Sequence, residues 1–173
     1  ELALELGFPG DQITFNGPHK TAESLEKALS GGALVNIDNF DELATCEKIA
    51  DKLNIFPKVG LRVNMSAGTA PRWSRFGFDL DSGQAKDAVR RLMGGGKLTL
   101  NGIHCHLGTF LLDANCYGEA AAKLVSFTRQ LREDYGISLE YLDLGGGFAS
   151  SAKLKSQYLP GEQVTPSFSQ YAE

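Results

Sequence analysis

Cysteine is scarce in this 173-residue chain: Cys46, Cys105 and Cys116 show no C-x-x-C spacing. Neither a disulfide scaffold nor a zinc ribbon is favoured, and a reducing cytoplasm is the expected compartment. Basic charge is short as well. Seventeen Lys and Arg stand against 21 Asp and Glu, a net charge of −4. A nucleic-acid binder should carry a basic stripe, so that class is set aside. No apolar run approaches the ~20 residues needed to cross a bilayer, so no membrane partner is expected. A Walker loop is missing, because Gly96-Lys97 is followed by Leu98 and position 91 is Arg91. A dinucleotide fingerprint is incomplete, since Gly145-x-Gly147 meets Ser150 where a third glycine belongs.

What the chain does have is packing mass. It is 42% hydrophobic, with 10 Phe, 5 Tyr and 1 Trp, enough for one folded domain. Its first residues, Glu1 to Gly7, read as the last turns of a helix closed by Gly7, and a helix begins after Pro166. Both ends look cut, so the chain is expected to be part of a longer protein.

Between the ends, short apolar runs ending in Asn, Asp, His or Gly alternate with helical segments. Strands are expected at Ile13–Asn16, Leu34–Asp38, Val59–Asn64, Thr99–His106 and Leu139–Leu144. Helices are expected at Thr21–Ser30, Phe40–Leu53, Ser82–Met93 and Asn115–Tyr135. The last shows Tyr117, Ala120, Ala121, Leu124, Phe127, Thr128, Leu131 and Tyr135 on one stripe at helical spacing. Asn39 and Glu42 frame the start of the second as a capping box. Alternating strands and helices imply an α/β fold with a parallel sheet. The nearly continuous apolar runs suggest strands covered on both faces. An open doubly wound sheet and a partial (β/α)₈ TIM barrel both fit. A barrel needs about 250 residues, so five units would be an incomplete one. In either case function belongs at the carboxyl ends of the strands.

Three features sit at those ends. Gly145, Gly146 and Gly147 follow the strand Leu142-Asp143-Leu144. Three missing Cβ atoms let backbone amides approach a ligand and form an anion nest suited to phosphate. A tight turn is the plainer use, although one or two glycines normally suffice for it. His104 and His106 point to one face of a strand, with Cys105 on the other. The pair could ligate zinc in a metal-dependent hydrolase, or one ring could stack on a flat ligand. Zinc needs further ligands, and only His19 and Asp143 offer themselves. Arg62 is a charge in an apolar strand, which needs either a buried partner or a ligand site.

Taken in order, six segments resemble the fold-type III pyridoxal-phosphate decarboxylases, the family of diaminopimelate and ornithine decarboxylases. They are Asn16-Gly-Pro-His-Lys20, Asp38-Asn-Phe-Asp-Glu42-Leu43, Leu61-Arg62-Val63-Asn64, Ser74-Arg75-Phe76-Gly77-Phe78, His104-Cys-His106-Leu-Gly108-Thr109 and Leu142-Asp143-Leu144-Gly145-Gly-Gly147-Phe148. The His-x-His-x-Gly stretch is closer to the diaminopimelate-type branch. The resemblance implies an incomplete alanine-racemase-like barrel over residues 1–173, with about five consecutive βα units. The first barrel strands and a C-terminal β domain would lie outside the chain. It implies pyridoxal 5'-phosphate as cofactor, which acts as an electron sink while the protein orients it. His106 would stack on its ring, with Arg62 beside it. Thr109 would stand where the family has a phosphate-touching Ser, and the amides of Gly145, Gly146 and Gly147 would hold the phosphate.

The implied reaction is decarboxylation of a basic or diamino acid such as diaminopimelate, ornithine or lysine, in a homodimer. The family's Schiff-base lysine is expected before Glu1 and the acidic partner of the pyridine nitrogen after Glu173. By itself the chain is therefore expected to be inactive, and no catalytic residue is assigned within it. Arg75 replaces the family's usual Lys, and Thr109-Phe110-Leu111 departs from the usual sequence after His-x-Gly. A non-catalytic homologue that binds and regulates a true decarboxylase is the alternative outside enzymes. An amino-acid racemase of the same fold is disfavoured by the Ser-Arg-Phe-Gly-Phe and Gly-Gly-Gly-Phe segments.

Overall fold

The computed structural model describes residues 2–70, 72, 74–152 and 158–172. Six strands form one parallel sheet: β1 (Thr14–Phe15), β2 (Leu34–Ile37), β3 (Lys58–Asn64), β4 (Phe78–Asp79), β5 (Thr99–Cys105) and β6 (Tyr141–Asp143). Their order is β1-β2-β3-β5-β6, with β4 a short spur on β3. The main strands thus follow chain order, without the reversal that defines a doubly wound sheet. The helices are α1 (Leu2–Glu5), α2 (Ala22–Ser30), α3 (Phe40–Leu53), α4 (Gln84–Gly95), α5 (Asn115–Tyr135), α6 (Gly161–Val164) and α7 (Phe168–Ala172).

The sheet curls. β1 and β6 are four strand spacings apart, about 19 Å if flat. Yet the Asn16 amide, just after β1, lies 3.5 Å from the Asp143 carboxylate of β6. A short side-chain contact across that interval requires a concave, half-barrel sheet.

Alternation along the strands separates two environments. On the convex face Val35, Ile37, Val59, Leu61, Val63 and Ile103 are essentially fully buried in the main core, together with Leu25, Leu43, Val89 and Leu124 from the helices. On the concave face the register brings Asn36, Gly60, Gly102 and Tyr141 into one row. Arg62, His104 and Asp143 form the next row towards the strand ends. The strands expected to be apolar on both faces are therefore apolar on one; the barrel interior is polar.

Helix starts and stops follow local chemistry. Thr21 Oγ1 accepts from the Ser24 amide to cap α2. Asn39 Oδ1 accepts from the Glu42 amide to open α3. Glu42 does not complete the capping box by reaching the Asn39 amide. Its carboxylate instead accepts from the Asp38 amide at 2.6 Å and pairs with Lys20 at 3.0 Å. A buried ammonium draws the carboxylate inward more strongly than a backbone donor would. At the chain's start, Gly7 is left-handed (φ 87°) and the Phe8 amide returns to the Ala3 carbonyl, closing α1 as expected.

Candidate functional site

The carboxyl ends of β3, β5 and β6, with the loop after β1, converge on an open cavity of about 490 Å³. Asn16, Gly17, Pro18, Arg62, His104, His106, Asp143, Gly145 and Gly146 line it. Four of the six residues expected at the site thus share one cavity: Arg62, His106, Gly145 and Gly146. Gly147, next in the loop, is not among the lining residues. Thr109 is exposed and outside the lining, on the loop that carries the chain away from β5.

Arg62 serves two purposes that the sequence left as alternatives. Its guanidinium is 3.1 Å from Asp38 Oδ1 and only 8% exposed, so it has the buried partner a charge inside an α/β barrel needs. It still faces the cavity, with the Phe76 ring 5.0 Å away on one side. The Ser74-Arg75-Phe76-Gly77-Phe78 segment folds over this arginine. Asn64 donates to the Phe76 and Gly77 carbonyls at 2.8 Å, and β4 then pairs with the end of β3. Gly77 is left-handed (φ 79°), and a Cβ there would stand 2.9 Å from the Arg62 carbonyl oxygen. Arg75 lies outside the cavity on an exposed turn, stacked on Phe76.

The glycine loop lies against His106. Gly145 and Gly147 are left-handed, with φ 71° and 94°. A Cβ on Gly145 would fall 2.6 Å from the Cys105 carbonyl oxygen and 3.0 Å from His106 Nδ1; on Gly147 it would overlap the Gly108 carbonyl. The loop can therefore take this path only without side chains. The Leu111 amide donates to the Gly147 carbonyl at 2.9 Å and the Tyr117 hydroxyl to the Gly146 carbonyl at 2.9 Å, so the loop is pinned from the β5 side and from α5. At Gly146 a Cβ would meet nothing within 4 Å, which leaves its cavity side open.

The amides are not all equally available. Gly145 N–H donates to Asp143 Oδ1 at 2.7 Å, a short bond to a carboxylate. Gly146 N–H reaches His106 Nδ1 at a long 3.4 Å, a contact that an anionic oxygen would readily displace. Burial first, then the Arg62 charge and His104, lower the His106 pKa, so this imidazole is neutral near pH 7. His104, 3% exposed, lies with Nδ1 2.9 Å from Asp143 Oδ2. The approach is off the line of a hydrogen bond, leaving Nδ1 as a buried polar atom without one. The adjacent imidazole, supported by the Gly145 amide and Asn16, holds the Asp143 carboxyl below the usual carboxylate range against the opposing effect of burial.

Sequence reasoning missed the supporting acids and their partners. Lys20 is buried and donates to both Glu42 oxygens at 3.0 Å and to the Asn36 carbonyl at 2.9 Å. Desolvation pushes the Glu42 pKa up, with Lys20 and the Asp38 amide opposing it. Glu42 in turn holds the backbone of Asp38, Arg62's partner. The mixed polar residues Asn16, Lys20, Asn36 and Asp38 after or within apolar runs were the available signal. For the zinc alternative, no group of three His, Cys, Asp or Glu among the described residues could hold a metal ion.

The family model for pyridoxal-dependent decarboxylases, pyridoxal binding domain, matches residues 1–172. The diaminopimelate decarboxylase of Actinosynnema pretiosum subsp. auranticum is 35% identical over 167 residues, covering 93% of this chain and 36% of that protein. That of Bacillus subtilis (strain 168) is 33% identical over 156 residues, covering 84% of this chain and 35% of its own. The chain thus spans little more than a third of these relatives. In structure it superposes on M. jannaschii diaminopimelate decarboxylase, solved with L-lysine, at a TM-score of 0.80 and 27% identity, over 94% of this chain and 39% of that one. The Helicobacter pylori enzyme, also solved with L-lysine, gives 0.78 and 27% over 98% and 44%.

Proposed function

The chain belongs to the pyridoxal-dependent decarboxylases, as their pyridoxal-binding barrel domain, and from that premise we propose that it forms the phosphate- and ring-binding part of a diamino-acid decarboxylase. The observation that carries the reading is the side-chain-free loop at Gly145, Gly146 and Gly147 packed against His106 beside Arg62. A structural turn would need left-handed glycines at 145 and 147, but not an open Gly146 facing a polar cavity.

The residues fit the group. Gly146, with Gly147 next in the loop, would give backbone amides to the phosphate, while Gly145 stays bonded to Asp143 and fixes the loop. His106, neutral and half-buried, would set a flat imidazole against the pyridine ring. Arg62, held by its ion pair with Asp38, would present its guanidinium at the cavity floor in a fixed orientation. Pyridoxal phosphate would supply the electron sink that lets a carboxylate leave as carbon dioxide. The lysine that joins it covalently is not assigned in this chain: Lys20 is committed to Glu42 and Lys58 lies at the opposite end of its strand, paired with Glu140. We place that lysine, the second domain and a homodimer partner in a longer protein, on the family resemblance and the third-length match to the relatives. A diamino acid as substrate rests on the diaminopimelate decarboxylases among the relatives and the L-lysine in two of the similar structures.

The test is cofactor titration of the full-length protein followed by its visible absorption band, alongside carbon dioxide release from diaminopimelate, lysine and ornithine. Saturable binding with release from one of these is expected. Saturable binding without release from any would leave a regulatory homologue, and no binding would remove the proposal.

A further inference from the structure

The barrel floor beneath the cavity is built around a polar crossbar that neither the cofactor contacts nor the core accounts for. In the row Asn36, Gly60, Gly102 and Tyr141, the two central residues lack side chains. A Cβ at Gly102 would overlap the Tyr141 ring, and one at Gly60 would overlap both the Tyr141 hydroxyl and Asn36 Oδ1. Glycine inside a strand commonly marks such a close approach. Here two of them open a trough in which the phenol lies across β5 and β3. The Tyr141 hydroxyl donates to Asn36 Oδ1 at 2.7 Å. Burial pushes its pKa up, so the hydroxyl keeps its proton.

The chain of contacts does not stop at the floor. Asn36 Nδ2 donates to Asn16 Oδ1, and Asn16 Nδ2 points at Asp143 Oδ2 from 3.5 Å. Asp143 in turn receives the Gly145 amide and stands beside the orphaned His104 Nδ1. A phenylalanine would fill the same volume; what the hydroxyl adds is direction. It fixes the Asn36 amide, which fixes Asn16, which limits where the Asp143 carboxylate can sit.

We propose that Tyr141 is a positioning residue for the cofactor site: through Asn36 and Asn16 its hydroxyl sets the Asp143 carboxylate, and so the glycine loop and His104. This rests on the reading that the cavity holds pyridoxal phosphate. Removing the hydroxyl frees Asn36 Oδ1 to seek another donor, and the side-chain amides of Asn36 and Asn16 lose their common orientation. The carboxylate then drifts from the Gly145 amide, and the loop loses the shape that receives phosphate.

The experiment is a double-mutant cycle in the full-length, cofactor-binding protein, with the pyridoxal phosphate dissociation constant as readout and the melting temperature measured alongside. Tyr141→Phe should raise the dissociation constant about fivefold to tenfold. Asp143→Asn should raise it at least as much. The combined variant should be no worse than Asp143→Asn alone, because one residue acts through the other. Leu124→Val, buried on α5 away from the chain of contacts, should lower the melting temperature and leave the dissociation constant unchanged. Should Tyr141→Phe fail to fold, Asn16→Ala against Asp143→Asn reads the same coupling from the cavity rim. Unchanged affinity in Tyr141→Phe, or effects that multiply in the double variant, would overturn the positioning role while leaving the cofactor site intact. A wild-type protein that binds no pyridoxal phosphate would overturn both.

Discussion

Two adjacent glycines of the loop, Gly146 and Gly147, should respond to substitution in opposite ways. Gly147 is left-handed at φ 94°, and a Cβ there would overlap the Gly108 carbonyl. An alanine pays about 1–2 kcal/mol for the left-handed backbone. Relieving the overlap pulls the loop off Gly108 and breaks the 2.9 Å bond from the Leu111 amide, about 1 kcal/mol more. Gly147→Ala should therefore cost roughly 2–3 kcal/mol, a fall in melting temperature of about 5–10 °C for a domain of this size. Gly146 has no such constraint, with nothing within 4 Å of its Cβ position. Gly146→Val should leave the cofactor-free protein within about 0.5 kcal/mol of wild type, yet weaken pyridoxal phosphate by tenfold or more, because the new methyls occupy the space the phosphate needs. Thermal unfolding without cofactor and equilibrium titration with it separate the two effects. A Gly147→Ala protein as stable as wild type, or a Gly146→Val protein that binds cofactor normally, would refute the reasoning.

Four further outcomes follow from the geometry. His106→Ala should slow turnover and weaken cofactor while leaving the melting temperature near that of wild type; full activity would remove His106 from the site. Leu124 is 0% exposed, so Leu124→Ala should cost about 2–5 kcal/mol in denaturant unfolding with no specific change in KM. Lys20→Met strands the buried Glu42 carboxylate and should cost about 3–5 kcal/mol; adding Glu42→Gln should recover part of that loss, and a double variant less stable than the single would contradict the pair. Asp143 has a folded pKa below its unfolded value of about 3.9. The unfolded chain then holds the extra proton, so this stability is present above that value and is lost as pH falls through the folded pKa. Asp143→Asn should flatten the acid limb of the stability curve; an unchanged limb would show that Asp143 does not contribute to it.

The elements with strong periodicity were legible from sequence. The stripe on α5 is buried at Tyr117, Ala120, Leu124, Phe127 and Leu131, with Ala121, Thr128 and Tyr135 half-buried at its margins. The five expected strands all form, though β1 is trimmed to Thr14–Phe15 and β6 to Tyr141–Asp143. β4 escaped notice because two residues carry no period; only the docking of Gly77 onto β3 reveals it. Alternation of strands and helices alone left open sheet and barrel undecided, since curvature is set by contacts such as Asn16 to Asp143 across 127 residues; the resemblance of the six segments to the decarboxylase family pointed to the barrel. Of the residues that meet at the cavity, Arg62, His106, Gly145 and Gly146 were readable because each breaks a local rule: a charge in a strand, a histidine at its end, too many missing side chains. The buried pairing of Lys20 with Glu42 was not, because an acid or a lysine near a strand end looks the same whether solvated or buried; Asp143 was noted only as a candidate metal ligand, not as the acceptor of the Gly145 amide. Gly60 and Gly102 did carry a signal, as glycines inside strands, but their purpose depended on where Tyr141 would lie.

The most direct measurement is a crystal structure of the full-length protein with pyridoxal phosphate bound. The phosphate should accept from the Gly146 and Gly147 amides, with the pyridine ring lying flat on the His106 imidazole and Arg62 alongside. A cofactor whose phosphate sits away from residues 145–147, or at the opposite end of the strands near Lys58 and Glu140, would contradict the account.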